Sequence, residues 1–188
     1  MGWRHPLPPH AKKVFEGVIF DVWQWEQELY DGSGTIFERV SRPNTVFVLP
    51  IVGDKICIVD EEQPDTGPYI SIPAGRCEKG EESLVSAQRE LKEETGLESN
   101  EWELLLQVEP VSKMEWTIYV YIARNCKKTG EQALDGGEII TPRYVTFEEF
   151  LALSDNPKFF KGELSNLMQI ARFDGTKRDE LRAKLFGH

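Results

Sequence analysis

Three glutamates crowd one turn of a predicted helix in the segment Arg89-Glu90-Leu91-Lys92-Glu93-Glu94. Residues three and four positions apart share a face of an α-helix, so the side chains of Glu90, Glu93 and Glu94 project side by side. Their like charges repel each other and cost stability. A divalent cation would offset that repulsion, and oxygen-only ligands suit Mg²⁺ or Mn²⁺. The spacing predicts a metal site, and the alternative is a solvated acidic helix face.

The helix that carries these acids is predicted over Ser83–Thr95, because this stretch contains no Gly or Pro and is rich in strong helix formers. Gly96 follows at the position where a C-terminal cap favours glycine. An apolar stripe beside the acids, made of Leu84, Ala87 and Leu91, is expected to face the core. The stripe should draw the carboxylates toward the protein body.

The spacing around this helix resembles the Nudix box, a motif written G-x5-E-x7-R-E-U-x-E-E-x-G-U with U aliphatic. Every fixed position of the motif is filled, by Gly75, Glu81, Arg89, Glu90, Leu91, Glu93, Glu94, Gly96 and Leu97. With average residue usage, a chance match at all these positions is on the order of one in ten million. The resemblance implies a Nudix hydrolase in which a loop-helix-loop holds Mg²⁺, or Mn²⁺, on Glu90, Glu93 and Glu94.

The same resemblance implies that Arg89 orients a carboxylate without touching the substrate and that Glu81 supports the loop. Hydrolysis of a phosphoanhydride requires that anionic oxygens be neutralised and a water be made nucleophilic, and bound cations can do both. Glu93, Glu94 and Arg89 are therefore predicted to be catalytic, with divalent metal essential. The alternative, a nucleotide-binding sensor without catalysis, is disfavoured because the box is complete and no length is left for a DNA-binding domain.

Ahead of the box stands Ser71-Ile72-Pro73-Ala74-Gly75, which with Glu78 and Gly80-Glu81 is similar to the ADP-ribose pyrophosphatase branch of the family. The similarity implies cleavage of a nucleoside-diphosphate sugar, ADP-ribose being the leading candidate, to a nucleoside monophosphate and a sugar phosphate. It also implies an additional metal ligand, the carbonyl of Ala74, and a homodimer. Dinucleoside polyphosphates, NADH or oxidised nucleoside triphosphates are the alternative substrates. The loop Glu61-Glu62-Gln63-Pro64-Asp65 lacks the arginine that usually follows a glutamine there.

In this family a glutamate on a mobile loop after the box often supplies the general base. The run Asp135-Gly136-Gly137-Glu138 stands just before a predicted strand, and its glycines would permit the loop to move. Glu138 is therefore the predicted general base, or else an extra metal ligand, and Glu115 is its rival. The alternative for this loop is a polar hairpin tip.

Five residues outside the acidic turn are candidates for contact with the substrate. Arg42 and Arg76 could reach a diphosphate. Trp23 and Trp25 share one face of a strand, from which an aromatic ring could stack on adenine. Glu115 is counted with these contacts. The alternatives are solvated arginines and, for the tryptophans, packing in the core or in a dimer interface.

Around the helix the sequence pattern is rich in β-strands. Residues 14–29 and 35–40 flank the turn Asp31-Gly32-Ser33-Gly34 and predict a hairpin. Further strands are predicted over residues 45–52, 55–60, 69–72, 101–109, 117–124 and 139–145, with loops over 61–67 and 127–137. Helices are predicted over residues 147–153, where Thr146 and Glu149 form a capping box, and 162–171. A charged tail from Lys177 is expected to be a loosely attached helix.

These elements and the resemblance imply an α/β fold of the mixed α+β kind. Specifically, they imply a Nudix-type α/β/α sandwich around a mixed sheet, with an N-terminal antiparallel β extension. The expected units are a β-rich dimerisation extension (residues 1–44), the hydrolase domain (45–175) and a charged tail or helix (176–188).

The composition excludes several classes of partner. A formal net charge of −10, from 32 acidic and 22 basic residues, would repel nucleic acid, so a small nucleotide substrate is the expected partner. Cys57, Cys77 and Cys126 form no close-spaced pair and are expected to be free thiols, with Cys77 a small filler residue. No stretch predicts a signal peptide or a membrane span. The protein is therefore predicted to be cytoplasmic.

Overall fold

A computed structural model of the chain describes residues 5–134, 136–160 and 162–187. Within these residues the strands are β1 Lys12–Glu16, β2 Asp21–Glu28, β3 Gly34–Ser41, β4 Thr45–Val52, β5 Lys55–Gln63, β6 Thr66–Ser71, β7 Ala74–Arg76, β8 Leu97–Glu98, β9 Glu101–Val108, β10 Met114–Glu115, β11 Ile118–Arg124, β12 Lys127–Lys128 and β13 Ile139–Val145. The helices are α1 Ser83–Thr95, α2 Phe147–Ala152, α3 Glu163–Phe173 and α4 Gly175–Phe186, with a 3₁₀ helix, Leu153–Asp155, after α2. None of these helices is both long and apolar enough to cross a bilayer.

Most strands belong to two sheets. The central sheet has the order β13-β5-β4-β11-β9, with β6 added beside β5 and β7 beside β4. In it β11 runs parallel to β4, while the other pairs are antiparallel. The second sheet has the order β1-β2-β3-β10 and is antiparallel except where β10 joins β3. The predicted mixed sheet and N-terminal β extension are therefore confirmed.

Helices cover both faces of the central sheet, as predicted for an α/β/α sandwich. One face packs against α2, α3 and α4 in a core whose fully buried residues include Leu49, Ile58, Phe150, Met168 and Leu185. On the other face α1 packs through Ala87 and Leu91 against Val46, Val48 and Cys57. Each large apolar side chain buried in this way stabilises the fold by about 1.5–3 kcal/mol. This second core fixes α1, and hence its acidic turn, on the sheet.

The prediction of one strand over residues 14–29 is wrong. Two strands, β1 and β2, occupy this region, and a turn between them closes with a 3.0 Å hydrogen bond from the Gly17 N–H to the Phe20 carbonyl. A Cβ at Gly17 would lie 2.5 Å from that same carbonyl oxygen, so only glycine allows the turn. Gly17 is therefore the residue in the sequence that indicates the turn between β1 and β2.

Two other segments are more regular than predicted. Residues 61–67 form the end of a hairpin, because β5 extends to Gln63 and β6 starts at Thr66. The C-terminal tail is helix α4, which is packed and not loosely attached, because Leu181 and Leu185 are buried in the core beneath it. The expected boundary between residues 175 and 176 lies within this helix.

Candidate active site

The loop before α1 is held by Glu81. Its carboxylate accepts hydrogen bonds from the Glu78 N–H at 3.0 Å, from Ser86 Oγ at 2.6 Å and from Arg89 Nη2 at 3.1 Å. The bond from Arg89, followed by that from Ser86, lowers the pKa of Glu81 to about 2. Glu81 is therefore occupied in fixing the loop to the first turns of the helix.

Arg89 connects this loop to the acidic turn. Besides Glu81, its guanidinium pairs with Glu90 at 2.8 Å and with Glu93 at 3.0 Å. Nη2 also donates to the carbonyl of Arg76 at 3.0 Å. Because the fork of N–H groups is rigid, these contacts fix the orientation of the carboxylates around it.

The three glutamates of the acidic turn differ in burial. Glu94 is 5 % exposed, Glu90 is also largely covered, and the side chain of Glu93 is 41 % exposed. Burial raises the pKa of Glu90 to about 7. Burial, followed by the charges of Glu61 and Glu90, raises the pKa of Glu94 well above its ordinary range.

Two of the three residues predicted for the apolar stripe of α1, Ala87 and Leu91, are buried. Leu84 was expected to face the core but is exposed, whereas Ser86 is fully buried beside Ala87 and Leu91. The buried arc continues from Ala87 and Leu91 to Glu94, at the i, i+4 and i+7 positions of one helix face. The fold therefore places the Glu94 carboxylate itself on the core side of the helix.

The backbone of β7 lies directly against the acidic turn. The N–H of Ala74 donates to Glu94 Oε2 at 3.1 Å. A Cβ built on Gly75 would lie 2.0 Å from the carboxyl carbon of Glu90, so a side chain at this position would displace the Glu90 carboxylate. The first residue of the box thus lets a strand and a carboxylate helix come into contact.

Glu61 is a site residue that the sequence analysis missed. It lies near the end of β5, is 8 % exposed, and exerts the strongest neighbouring charge on the Glu94 pKa. Gln63 Nε2 donates to its Oε1 at 2.6 Å, and the hydroxyl of Tyr69 donates a further hydrogen bond. The available signal was strand alternation: Cys57, which faces α1, and Glu61 lie on the same side of β5.

The structure brings Glu138, and not Glu115, toward the acidic turn. The charge of Glu138 contributes to raising the pKa values of both Glu90 and Glu94. Glu115 lies on β10, where its carboxylate pairs with Arg39 at 2.7 Å. Asp135, at the start of the predicted Glu138 loop, is outside the described residues.

The predicted substrate contacts lie in two regions: Arg42 lies near Arg76 and Trp116, whereas Trp23 and Trp25 lie on β2. The Arg42 guanidinium lies 4.6 Å from the ring centroid of Trp116, and burial together with the charge of Arg76 lowers the Arg42 pKa. Trp25 is buried and packs edge-on against Phe37, which agrees with the packing alternative. Trp23 is half-buried and donates from Nε1 to Ser41 Oγ at 2.9 Å.

The cysteines have no role in this chemistry. Cys57, Cys77 and Cys126 are all buried free thiols. Burial raises the pKa of Cys57 to about 12 and that of Cys126 to about 11, and it also raises the pKa of Cys77. The thiols are therefore protonated near neutral pH, and thiolate nucleophiles are not available.

The donor set at this site fits a hard divalent cation. Glu61 and Glu94 are buried, Glu90 is largely covered, and all three offer only carboxylate oxygens. Burial and neighbouring negative charges raise the pKa values of Glu90 and Glu94. Among the described residues no three acidic, histidine or cysteine side chains already surround a common point.

Comparison with known proteins identifies the family. A family model described as the NUDIX domain matches residues 41–165. The chain belongs to the Nudix hydrolase family. The family predicted from the box is thus confirmed.

This Nudix hydrolase is similar in sequence to a pyrophosphatase and to an enzyme activator, and similar in fold to an ADP compounds hydrolase. It is 29 % identical over 163 residues to the ADP-ribose pyrophosphatase of Bacillus subtilis (strain 168), covering 84 % of this chain and 88 % of that protein. It is 33 % identical over 146 residues to the methanol dehydrogenase activator of Bacillus methanolicus, covering 75 % and 78 %. A crystal structure of an ADP compounds hydrolase matches its fold with a TM-score of 0.72 at 19 % identity, over 93 % of this chain and 95 % of that chain. The chain resembles the ADP-ribose pyrophosphatase branch, as predicted.

Proposed function

We propose that this Nudix hydrolase cleaves the pyrophosphate bond of a nucleoside-diphosphate sugar, with ADP-ribose as the leading candidate, in a magnesium-dependent reaction. The observation that carries the proposal is the pair Glu90 and Glu94, covered by the Ala74-Gly75 backbone, with the charge of Glu61 near enough to raise the Glu94 pKa. Burial and neighbouring negative charges raise the pKa values of both carboxyl groups, and a bound cation would offset the cost of ionising them. The similarity to an ADP-ribose pyrophosphatase supports the substrate class.

The residues that would hold magnesium, or manganese, are Glu90, Glu93 and Glu94, with the carbonyl of Ala74. When bound, the cation neutralises charge on the diphosphate and lowers the pKa of an attacking water. The contribution of the chain is to fix the ligands, and Arg89 does so by holding Glu90 and Glu93. Glu61, held by Gln63 and Tyr69, adds a carboxylate from the sheet side.

Glu138 is assigned as the general base. It accepts a proton from the water, whose oxygen forms a bond to one phosphorus of the diphosphate. The bridging P–O bond to that phosphorus breaks, and the bridging oxygen leaves with the other phosphate. The products are a nucleoside monophosphate and a sugar phosphate. Support for this role comes from the charge of Glu138, which reaches Glu90 and Glu94.

Arg42 and Arg76 are assigned to the diphosphate. Within the described part of the chain, Arg42 Nε is buried without a hydrogen-bond partner, so a donor is available for an anion. A ring stacked on the guanidinium, Trp116, keeps the side chain in place. Trp23 is the candidate for stacking on the base, since Trp25 is committed to internal packing.

A substrate panel tests the proposed function. ADP-ribose, NADH, a diadenosine polyphosphate, GDP-mannose and an oxidised nucleoside triphosphate are incubated with the protein, with and without magnesium, and the products are separated by chromatography. We expect AMP and ribose phosphate from ADP-ribose, formed only with magnesium and faster than products of the other substrates. Faster turnover of a different member would replace the substrate assignment, and no hydrolysis of any member would overturn the enzyme assignment.

We also propose that the chain forms a homodimer through the outer face of the β1-β2-β3 sheet. Phe15 and Ile36 are each 58 % exposed there. Strand alternation places both on the face opposite Trp23 and Trp25, and all five residues of the edge strand β1 are exposed. A second copy of the chain would cover these exposed apolar side chains.

Light scattering is expected to give twice the chain mass of 21.6 kDa. Ile36→Glu should shift the protein toward the monomer, because it places a charge in the proposed interface. The matched control is Ile170→Glu, which changes an exposed isoleucine on α3 and should leave the mass unchanged. A monomeric wild-type protein would contradict the proposal.

A further inference from the structure

The C-terminal end of α1 is capped by one stretch of chain, residues 128–133. The last carbonyl groups of a helix have no partner within it. Here the donors for the carbonyls of residues 93 to 96 are, in turn, the Ala133 N–H at 2.8 Å, Gln132 Nε2 at 2.6 Å, Lys128 Nζ at 3.0 Å and the Thr129 N–H at 2.9 Å. Two of these four carbonyls belong to the glutamates assigned to the cation.

The packing between this stretch and the helix is close. Gly96 has a φ of +67°, and a Cβ there would lie 2.2 Å from the Gly130 carbonyl oxygen. The stretch therefore passes so close to the end of the helix that residue 96 has no space for a side chain, and the chain continues toward Glu138 and strand β13.

Gln132 differs from the other capping donors because its amide reaches a second element. Besides the Glu94 carbonyl, Nε2 donates to the carbonyl of Ile140 at 3.0 Å. Ile140 is buried in β13, two residues after Glu138, and is paired with Glu61 across the sheet. One side-chain amide thus joins the helix of Glu94 to the strand that follows Glu138.

We propose that Gln132 is a positioning residue for hydrolysis: its amide fixes the carboxylate turn of α1 relative to the strand that Glu138 leads into. This inference rests on the proposed function. The –NH2 group of glutamine carries two donors, and here one serves the helix while the other serves the strand. Neither a glutamate nor an apolar side chain of the same length can donate to both carbonyls. Gln132 does not touch the reacting atoms and acts through the residues it holds.

The test compares Gln132→Met with Lys128→Met. Methionine has nearly the length of both side chains and lacks their donors, so each variant removes one side-chain cap from α1. Only Gln132→Met also releases β13. We expect Gln132→Met to lower kcat on the order of 10- to 100-fold, the usual effect of losing an outer support of a metal site, with little change in the KM for the nucleotide. Lys128→Met should leave kcat close to that of the wild type.

Two measurements without substrate accompany the kinetics. Hydrogen–deuterium exchange should quicken at residues 138–140 in Gln132→Met and not in Lys128→Met. Titration calorimetry with manganese alone should show weaker binding in Gln132→Met than in the control, because the carbonyl of Glu94 loses its anchor. The exchange data also report whether each variant remains folded.

Equal kinetics, exchange and manganese affinity in the two methionine variants would overturn the inference. Gln132 would then act only as a helix cap, like Lys128. If the wild type hydrolyses nucleotides and binds manganese while this equality holds, only the inference fails. A wild type that neither binds manganese nor hydrolyses any member of the panel overturns the proposed function, and the inference fails with it.

Discussion

Replacement of Glu94 by glutamine is expected to abolish most of the activity and, at the same time, to stabilise the metal-free protein. The kcat should fall by about 10³-fold, which corresponds to roughly 4 kcal/mol of lost transition-state stabilisation. Glutamine keeps the length of the side chain and an oxygen that can accept the hydrogen bond from the Ala74 N–H. The loss should therefore come from the missing negative charge and not from a change in packing.

The gain in stability has a separate cause. Glu94 is buried, and the charges of Glu61 and Glu90 add to burial in raising its pKa. Because the pKa is higher in the folded than in the unfolded protein, the folded state is destabilised progressively as pH rises above the ordinary value of 4.5. Removal of the ionisable group removes this cost. The melting temperature in a chelator should rise by about 2–4 °C for each kcal/mol gained, and more at neutral than at acidic pH.

The matched control for this experiment is Glu98→Gln. Glu98 lies just beyond α1, is exposed, and pairs with Lys92, so the same chemical change there should alter neither kcat nor melting temperature appreciably. Manganese calorimetry completes the test, since Glu94→Gln should bind the ion much more weakly than Glu98→Gln. A Glu94→Gln variant with wild-type kcat and manganese affinity would remove the cation from the proposed mechanism.

The helices of this protein could be predicted where the signal is local. Helix α1 has the predicted bounds, because the stretch contains no Gly or Pro and Gly96 ends it with a φ of +67°. The capping box of Thr146 and Glu149 is present at the start of α2. Helix α4 was harder to foresee as a packed element, because its buried residues, Leu181 and Leu185, form only a narrow apolar row.

The site, too, has residues that local sequence patterns predict and residues that only the tertiary fold brings together. The box sets the spacing of Arg89, Glu90 and Glu94 within one helix, so their proximity follows from helical geometry alone. Glu61 and Gln132 lie on other elements, and the contact between Gln132 and the Glu94 carbonyl spans 38 residues. No local pattern specifies a contact of that range. The prediction that β5 ended before residue 61 also concealed the burial of Glu61 on the α1 side.

Glu138→Gln is expected to separate proton transfer from cation binding. The kcat should fall by about 10²- to 10⁴-fold, the range over which a positioned general base accelerates a reaction. Manganese affinity should stay within about a factor of three of the wild type, because Glu138 lies outside the set of residues assigned to the ion. Glu94→Gln, by contrast, should lower both kcat and manganese affinity. Steady-state kinetics gives kcat, and calorimetry on the same preparations gives the manganese affinity.

Glu115→Gln decides between the rival bases. Arg39 already holds the Glu115 carboxylate at 2.7 Å, and proton transfer by Glu115 would require that ion pair to break. Its replacement should therefore lower kcat much less than that of Glu138. The opposite ranking, with Glu138→Gln near wild type and Glu115→Gln severely impaired, would transfer the role of base to Glu115. It would also require the Arg39–Glu115 ion pair to open during catalysis.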